Sequence, residues 1–376
     1  MSKIIRLVDR TRTVQDWKCP RARYWGYEYE GRGLAKSSTS LALFTGIVLH
    51  DALAAIATFT KEGAEVPIDD IASLAFAQLK DELLKESAGV IDKESLDFAN
   101  EQGTLIEGMI RGFYKHVWPR LMEKTRSIVS IEQEMEFNLD PSGHGGGFVF
   151  MAKPDLILED FEGELSYIEY KSTSWKKDSW INSWETAVQV HSSIKATEAT
   201  LGKAPSTVQI VGIYKGYESY GKQSSPFCYA YKKSGNPPFT QDQVQYEYKA
   251  GFKRFATWEM QGGVKSWVES MPENILANQF PMPAPIFVND DLVEKFFKQR
   301  LIRERIIAEA TTNGEYDDPI TGIDAVFPQH FDQCQPSIGY SCDFKKLCHG
   351  FVANPLDEGF ELRTPHHQRE LEALNG

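Results

Sequence analysis

The amino-acid sequence predicts an α/β protein in which a mixed central sheet is flanked by helices. Segments with apolar residues at helical spacing dominate the first third of the chain. Short segments with strand character follow in the middle, separated by turns that contain glycine or proline. A further helical segment then lies between these strands and the next ones, as is typical where helices pack on one sheet.

The first third begins with a polar segment and continues with three predicted helices. The run 37–40, Ser-Ser-Thr-Ser, offers N-caps for a helix of about 20 residues that begins near Leu41. Apolar residues recur at about every 3.6 positions over 68–86 and 93–125. We therefore expect residues 1–127 to form an N-terminal segment followed by a helical region.

The first predicted strands fall in the middle of the chain. The segment 128–139, IVSIEQEMEFNL, alternates apolar and charged residues as a half-buried strand does. The glycine-rich segment 141–147 predicts a hairpin turn. Two apolar runs, 148–158 and 165–172, have the composition of further strands.

The rest of the chain predicts more helices, more strands and a cysteine-containing end. A helix is expected at about 180–201, and the proline-rich run 281–286 separates the last two helices. The remaining predicted elements are strands at 208–215 and 227–232 and helices at 239–261 and 289–311. We expect a core at 128–275, followed at 276–376 by a helical region with three cysteines and a tail.

The composition excludes several classes of protein. The 376 residues are 41% hydrophobic and 25% charged, as in an ordinary globular protein with a sizeable core. No apolar run approaches the roughly 20 residues of a membrane span, and the N-terminus lacks the apolar run of a signal peptide. We therefore expect a cytoplasmic protein with no membrane partner. The net charge of −12 argues against a surface coated in base, but it permits a local basic channel.

The cysteines indicate a metal site rather than disulfides. An odd number of cysteines in a chain without a secretion signal does not suggest a disulfide framework. Three of them lie close together near the C-terminal end, which is typical of metal ligation. Cys228, in a predicted strand, is expected to be a small core residue. The other four are Cys19, Cys334, Cys342 and Cys348.

Two predicted strands carry the residues of a metal site. Asp155 lies in an apolar run, where a carboxylate is costly unless something pairs with it. Glu169 and Lys171 are two positions apart on the next strand and therefore point to the same face. Two carboxylates beside an ammonium suit a hard divalent cation, Mg²⁺ or Mn²⁺. Such a cation activates water, while Lys171 can orient that water or neutralise developing charge on a phosphate.

Three more residues are candidates for this site. The backbone carbonyl of Tyr170 is a further oxygen that could bind the metal. Gln189, on the following helix, could hydrogen-bond the lysine, the water or the phosphate. His50, on the first long helix, could supply a nitrogen ligand, which would favour Mn²⁺ over Mg²⁺.

A second group of candidates follows the lysine in the sequence. Trp175, Lys176 and Lys177 combine an aromatic ring with two cations, which suits a single nucleic-acid strand through stacking and phosphate attraction. Trp180 and Trp184, four positions apart on the following predicted helix, could contact the same nucleic-acid strand, and buried packing is the alternative for them. The alternating carboxylates of 132–136 are expected on a solvated face, although Glu134 could lie at the edge of the metal site.

These motifs resemble those of the PD-(D/E)XK nuclease superfamily. Pro154-Asp155 followed by Glu169-x-Lys171 matches its core pattern. The wider arrangement resembles the RecB-like branch, which includes the iron–sulfur exonucleases that accompany CRISPR adaptation and the AddB-type nucleases. This wider resemblance covers residues 19–350 and rests on Gly46-x-x-x-His50, on Gln189, and on Cys19 with Cys334, Cys342 and Cys348.

The resemblance implies a restriction-endonuclease-like core and hydrolysis of DNA. His50, Asp155 and Glu169 would bind one or two divalent metals. Lys171 would assist the attacking water, and Gln189 would support these residues. The implied enzyme is an exonuclease that cleaves phosphodiester bonds in DNA that is single-stranded or has a free end. A helicase or recombination partner, and a role in DNA repair, recombination or phage DNA processing, would fit the same branch.

The resemblance also implies that the four cysteines hold a structural 4Fe–4S cluster, which would tie the two ends of the chain together. Two features depart from the branch: Ser193 stands where a tyrosine follows Gln189, and the last three cysteines are spaced C-x7-C-x5-C instead of C-x2-C-x5-C. The alternatives to the cluster are zinc on the same cysteines, or with His330 or His349 replacing one, and free thiols. A non-cleaving nucleic-acid-binding accessory protein and a redox iron–sulfur protein are the alternatives to a nuclease.

Overall fold

The computed structural model describes most of the chain. The described residues are 5–36, 41–86, 92–140, 147–173, 187–214, 279–313, 322–335, 341–350 and 354–365, with Ser183, Trp184, Lys265, Val268, Glu269, Glu273, Ala277, His367, Glu370 and Leu371. The predicted strand 227–232 and the predicted helix 239–261 lie outside these residues. So do Cys228, Trp180 and the candidates Trp175, Lys176 and Lys177.

The strands in the described part of the chain form three sheets. They are β1 (Ile5–Asp9), β2 (Leu34–Lys36), β3 (Thr125–Ile131), β4 (Met135–Asn138), β5 (Gly147–Ala152), β6 (Leu156–Asp160), β7 (Leu165–Thr173), β8 (Thr207–Tyr214), β9 (Ile286–Phe287) and β10 (Phe360–Leu362). The largest sheet has the order β3-β6-β7-β8-β9, the second has the order β1-β5-β4, and the third pairs β2 with β10. In the largest sheet β7 and β8 are parallel and the other neighbours are antiparallel.

Helices cover the largest sheet on both sides. The described α-helices are α1 (Arg10–Lys18), α2 (Pro20–Arg23), α3 (Leu41–Lys61), α4 (Ile68–Glu86), α5 (Lys93–His116), α6 (Trp118–Met122), α7 (Val188–Leu201), α8 (Asp290–Asn313), α9 (Ile323–Val326) and α10 (Lys345–Cys348). Leu156 and Leu158 on β6 pack in a core with α3, α4 and α5, whereas Ile157 packs in a second core with α7 and α8. A strand buried on both faces needs no polar side, which explains its continuous apolar run. The predicted fold class, a mixed sheet flanked by helices, is confirmed.

Helix α3 is apolar enough to resemble a membrane span. An 18-residue window in it has a mean hydropathy of 1.8. The sequence-based expectation of no such run therefore understated this helix. Length and composition alone are weak indications, because a core helix passes the same test, and 39% of the window is buried inside the protein. Leu49, Leu53 and Ile56 of α3 are completely shielded in the core.

Two predicted strands are each divided between two sheets, so the sequence prediction was wrong there. The run 128–139 forms β3 and β4, which separate near Glu132, a residue with φ of +46°. The run 148–158 forms β5 and β6, which separate at the corner that contains Pro154 and Asp155. Proline cannot donate to a sheet ladder and therefore favours the end of a strand.

Two predicted helices are shorter than expected. The segment 93–125 forms α5, which ends at His116, and then the short α6, with Pro119 in its first turn. The segment from residue 125 already belongs to β3. Within the described residues, the helix predicted at about 180–201 is α7, which begins at Val188.

Strands from both predicted terminal regions belong to the sheets of the predicted core. Strand β1 runs parallel to β5, with Ile5 opposite Gly147 and Asp9 opposite Met151. Strand β9 pairs with β8. The division of the chain after residues 127 and 275 therefore stays a prediction. If the chain has these three regions, strands from neighbouring regions belong to the same sheets.

A buried ionic network joins the two ends of the chain. Both terminal nitrogens of Arg23, on α2, donate to Glu304 on α8 at 3.0 Å. Arg300, one turn earlier on α8, lies 2.7 Å from Glu304 and 3.0 Å from Asp16 on α1. We call Asp16, Arg23, Arg300 and Glu304 the arginine network. Each of its charges has an opposite charge within 3.0 Å, which offsets the cost of burial.

Candidate active site

Five ionisable side chains converge where helix α3 meets the strands. Helix α3 supplies His50, the bend between β3 and β4 supplies Glu132, and the corner between β5 and β6 supplies Asp155. Strand β7 supplies Glu169 and Lys171. The backbone N–H of Glu132 donates to the carbonyl of Asp155 at 3.0 Å, which joins the bend to the corner. The positive φ of Glu132 is uncommon for a residue with a side chain, and such conformations concentrate at functional sites.

Asp155 is a buried carboxylate, with 4% of the residue exposed. Its Oδ2 accepts a hydrogen bond from the backbone N–H of Tyr170 at 2.6 Å. Burial, followed by the charge of Glu169, raises the pKa of Asp155 to about 7, although His50 and Lys171 oppose this shift. Asp155 is therefore costly to ionise unless positive charge is added to the site.

His50 connects two carboxylates. Its Nδ1 lies 2.9 Å from Glu132 Oε1 and 3.5 Å from Asp155 Oδ1. Burial opposes charging of the imidazole, but Asp155 and Glu132 outweigh it and raise the pKa of His50. The second oxygen of Glu132 lies 2.9 Å from Lys153 Nζ. Burial likewise disfavours the Glu132 carboxylate, but His50 and Lys153 lower its pKa.

Glu169 is the most deeply buried of these carboxylates, with none of the residue exposed. Neither of its oxygens has a hydrogen-bond partner among the described residues. Lys171 Nζ lies against Oε1 as an ion pair, so it supplies charge without satisfying hydrogen-bond geometry. A buried acceptor without a donor costs about 1–3 kcal/mol. A cation bound beside Glu169 would remove that cost and would also favour the charged form of Asp155.

These residues fit a divalent metal. Ligand atoms of His50, Glu132 and Asp155 lie within 4.8 Å of one another. Carboxylate oxygens are the donors that Mg²⁺ prefers, and the imidazole makes the set suitable for Mn²⁺ as well. Glu132 and Asp155 both face Nδ1 of His50, so a cation bound there would replace a proton shared among them.

Sequence reasoning missed Glu132 and Lys153. Glu132 was expected on a solvated face, yet its side chain is 18% exposed and contacts His50. The sequence contained a signal for this difference. If one alternating strand ran from Ile131 to Met135, position 133 would be apolar. Gln133 stands there instead, and β3 ends at Ile131. Glu134, the expected edge residue, pairs instead with His367 at 3.0 Å.

The structure brings together four of the predicted site residues and leaves Gln189 apart. His50, Asp155, Glu169 and Lys171 interact as described above. Gln189 lies in the first turn of α7, where its Oε1 is buried without a hydrogen-bond partner among the described residues. It makes no hydrogen bond to Lys171 there. Its predicted supporting role stays a prediction, as does that of the Tyr170 carbonyl.

The four cysteines proposed as cluster ligands gather where the two ends of the chain meet. Cys342 N donates to the carbonyl of Cys334 at 3.0 Å, and Cys19, Cys342 and Cys348 share an apolar cluster with Phe344. All four are free thiols. Burial raises the pKa of Cys342 and, to about 11, that of Cys348, and neighbouring cysteines add to both shifts. Adjacent, partly buried thiols of this kind lose their protons readily only when a cation replaces them.

Comparison with known proteins agrees with this geometry. A sequence model of the PD-(D/E)XK nuclease superfamily matches residues 16–282, more than half of the chain. The chain therefore belongs to the PD-(D/E)XK nuclease superfamily. A search of curated proteins found none that matches it. Membership implies a metal-dependent nuclease that uses Mg²⁺ or Mn²⁺ and acts on nucleic acid.

Proposed function

We propose that the protein is a RecB-like DNA exonuclease that degrades single-stranded DNA from a free end. The observation that carries this proposal is the buried pair Asp155 and Glu169: burial and the charge of Glu169 raise the pKa of Asp155, and neither oxygen of Glu169 has a hydrogen-bond donor among the described residues. A structural role would be served better by a neutral pair. The preference for single strands, and a helicase or recombination partner, rest on the resemblance of the motifs around His50 and Gln189 to that branch.

Each residue has a distinct role in the proposed reaction. His50, Glu132 and Asp155, whose ligand atoms lie within 4.8 Å of one another, would hold the cation, and Glu169 on β7 would add a further carboxylate. The bound cation supplies Lewis-acid chemistry to the water and the phosphate. Lys171 lies against Glu169, where its ammonium can orient the attacking water or neutralise charge that develops on the phosphate.

A nuclease assay tests the proposal. Purified protein with Mg²⁺ or Mn²⁺ is expected to shorten end-labelled linear single-stranded DNA and to leave circular single-stranded DNA intact. Lys171→Ala is expected to lower kcat by about 100-fold or more, as loss of a group that stabilises transition-state charge does. Lys124→Ala, which removes an exposed lysine at the start of β3, is the matched control and is expected to keep wild-type activity.

The outcomes separate the parts of the proposal. Equal activity of Lys171→Ala and wild type would remove the catalytic assignment. Cleavage of circular DNA would indicate an endonuclease. Binding of DNA without cleavage at any metal concentration would favour the alternative, an accessory protein on the same fold.

We also propose that Cys19, Cys334, Cys342 and Cys348 hold a 4Fe–4S cluster with a structural role. Zinc with four thiolates requires sulfur atoms about 3.8 Å apart, because Zn–S bonds are about 2.3 Å long and tetrahedral. In the described part of the chain, the cysteine sulfurs form no group of three within 4.8 Å of one another. A cubane 4Fe–4S cluster is larger than one zinc ion, so its cysteine ligands lie farther apart than those of a zinc site.

Anaerobic purification tests the cluster. The wild-type protein is expected to be brown, and Cys348→Ser is expected to be colourless and less stable to heat, because a ligand that fastens the two chain ends is lost. Reversible reduction that is required for activity would support the redox alternative instead. Colourless wild-type protein that contains zinc would overturn the cluster and leave the nuclease assignment intact.

A further inference from the structure

A cavity of about 540 Å³ lies beside the active site. Its volume is within the range of pockets that bind small ligands, about 300–1,000 Å³. The start of α1, the end of β5 and the first turns of α7 form its walls. Lys153 lines it and also pairs with Glu132, so the cavity adjoins the proposed metal site.

The two carboxylates of the cavity wall, Asp9 and Glu134, face two basic side chains, His367 and Arg12. Both carboxylates line the cavity, and both contact His367. The distances are 3.2 Å from His367 Nε2 to Asp9 Oδ2 and 3.0 Å from Nδ1 to Glu134 Oε1. Asp9 also caps α1 by accepting a hydrogen bond from the backbone N–H of Arg12 at 2.8 Å. These carboxylates therefore do not exclude an anionic ligand.

Arg10 brings a positive charge to the cavity. Its side chain is exposed and makes no ion pair within the described residues. Arg10 and Thr11 occupy the first turn of α1, whose backbone N–H groups lack helical acceptors. A cation at that end of a helix is unfavourable by itself, but it suits a bound anion. A phosphate at the start of α1 would meet the guanidinium together with the amides of Arg10 and Thr11, because the Arg12 amide already donates to Asp9.

The wall of the cavity formed by α7 offers polar groups with open space next to them. Gln189 lines the cavity, and its buried Oε1 lacks a donor among the described residues. Ser193, one turn later on α7, has a short side chain where the resembling branch has a tyrosine. A larger side chain at this position would extend into the cavity. A nucleobase has both the flat shape and the edge donors that such a wall accepts.

We propose that this cavity binds the nucleotide adjoining the scissile phosphate of a single-stranded substrate, with its phosphate at Arg10 and its base beside Gln189 and Ser193. This proposal rests on the proposed nuclease function and extends it. It assigns substrate positioning to residues outside the metal site. It also gives Gln189 a binding role instead of a contact with the catalytic lysine.

Two pairs of variants test the proposal on a single-stranded oligothymidylate of about ten nucleotides. Arg10→Ala is expected to raise KM about tenfold and to reduce the salt dependence of binding by about one phosphate contact. Arg126→Ala removes another exposed arginine, on β3 and away from the cavity, and is expected to match wild type. Ser193→Phe is expected to raise KM at least about tenfold, whereas Thr200→Phe, at an exposed position near the end of α7 outside the cavity, is expected to match wild type. In all four variants kcat is expected to change less than about twofold.

The results distinguish this proposal from the nuclease assignment. Wild-type KM for both Arg10→Ala and Ser193→Phe, in an enzyme that cleaves the oligonucleotide, would overturn the cavity proposal alone. Because Ser193 is buried, thermal unfolding checks that Ser193→Phe folds, and Arg10→Ala carries the test if it does not. If wild type cleaves no DNA, the proposed function fails. Binding of the same oligonucleotide in EDTA then decides: tenfold weaker binding by Arg10→Ala supports the cavity, and equal binding overturns it.

Discussion

Two groups of buried charges in this protein have opposite characters. In the arginine network, Glu304 lies within 3.0 Å of two guanidinium groups. At the active site, Glu169 is equally buried but has one ammonium beside it and no hydrogen-bond donor among the described residues. The carboxylates of the first group accept hydrogen bonds from arginines of the protein itself, although Nε and Nη2 of Arg300 have no hydrogen-bond acceptor among the described residues. At the active site both oxygens of Glu169 lack a donor, and a further cation would supply the missing partner.

The pKa shifts express the same difference. Burial raises the pKa of Asp16 and Glu304, but the arginines outweigh it and hold both pKa values below their ordinary range. At Asp155 burial prevails, and the nearby carboxylate of Glu169 adds to it. A buried carboxylate with a lowered pKa already has a cationic partner. One with a raised pKa marks a site where binding of a cation would lower the free energy of the folded protein.

Breaking the arginine network is expected to have the largest effect on stability. Arg23→Ala leaves two buried carboxylates with fewer partners, so the free energy of unfolding should fall by about 3–5 kcal/mol. Chemical denaturation measures this change. Arg126→Ala, an exposed arginine, is the control and should change the free energy by less than about 0.5 kcal/mol. A similar small loss for both variants would show that the network is not structural.

Supplying the missing cation should stabilise the active site. Mg²⁺ or Mn²⁺ at a hundred times its Kd is expected to raise the free energy of unfolding by about 2.7 kcal/mol, because the metal binds the folded state. Thermal unfolding with and without the metal checks this. Asp155→Asn should show a much smaller shift. An equal shift in the variant would place the bound metal elsewhere.

Neutralising Asp155 should stabilise the metal-free protein. Asp155→Asn keeps an acceptor for the Tyr170 N–H and removes the buried charge, so the gain above pH 7 is about 1–3 kcal/mol, while cleavage is lost. The pKa of Asp155 is about 7 in the folded state against an ordinary value of 3.8. The folded state therefore holds the proton more tightly, and this contribution to wild-type stability is complete below about pH 4 and lost as the pH rises through 7.

Denaturation of both proteins in EDTA across this pH range provides the measurement. The two stabilities should be similar near pH 4 and diverge up to about pH 7. A constant difference at every pH would mean that the charge of Asp155 is not the cause.

The sequence predicted the central part of this architecture because its signals are local. The alternating and continuous apolar runs located the strand-forming segments, although two of these runs are each divided between two sheets, and the apolar segment from Leu41 predicted α3. Asp155, Glu169 and Lys171 were predicted as site residues because a charge in an apolar run and an E-x-K spacing are visible without a structure. His50 was predicted through its resemblance to a known motif.

The rest depended on tertiary contacts. The break after β3 follows from the backbone of Glu132 and its bond to Asp155, which lies on a different part of the chain. The run through Pro154 looked like one strand because both halves are apolar. The cavity beside Ser193 involves α1, β5 and His367, and no spacing in the sequence brings these together.

The parallel pairing of β1 with β5 affects how the chain folds during synthesis. Residues 5–9 are synthesised before their partners at 147–151, with the whole helical region between them. Non-local parallel pairing of this kind folds slowly, because a long loop must close before the contact forms. The corner with Asp155 directly follows β5, so β1 docks on the strand that leads into this corner. Docking of β1 and formation of the Asp155 corner therefore both depend on β5, which links the slowest pairing of the sheet to the position of this carboxylate.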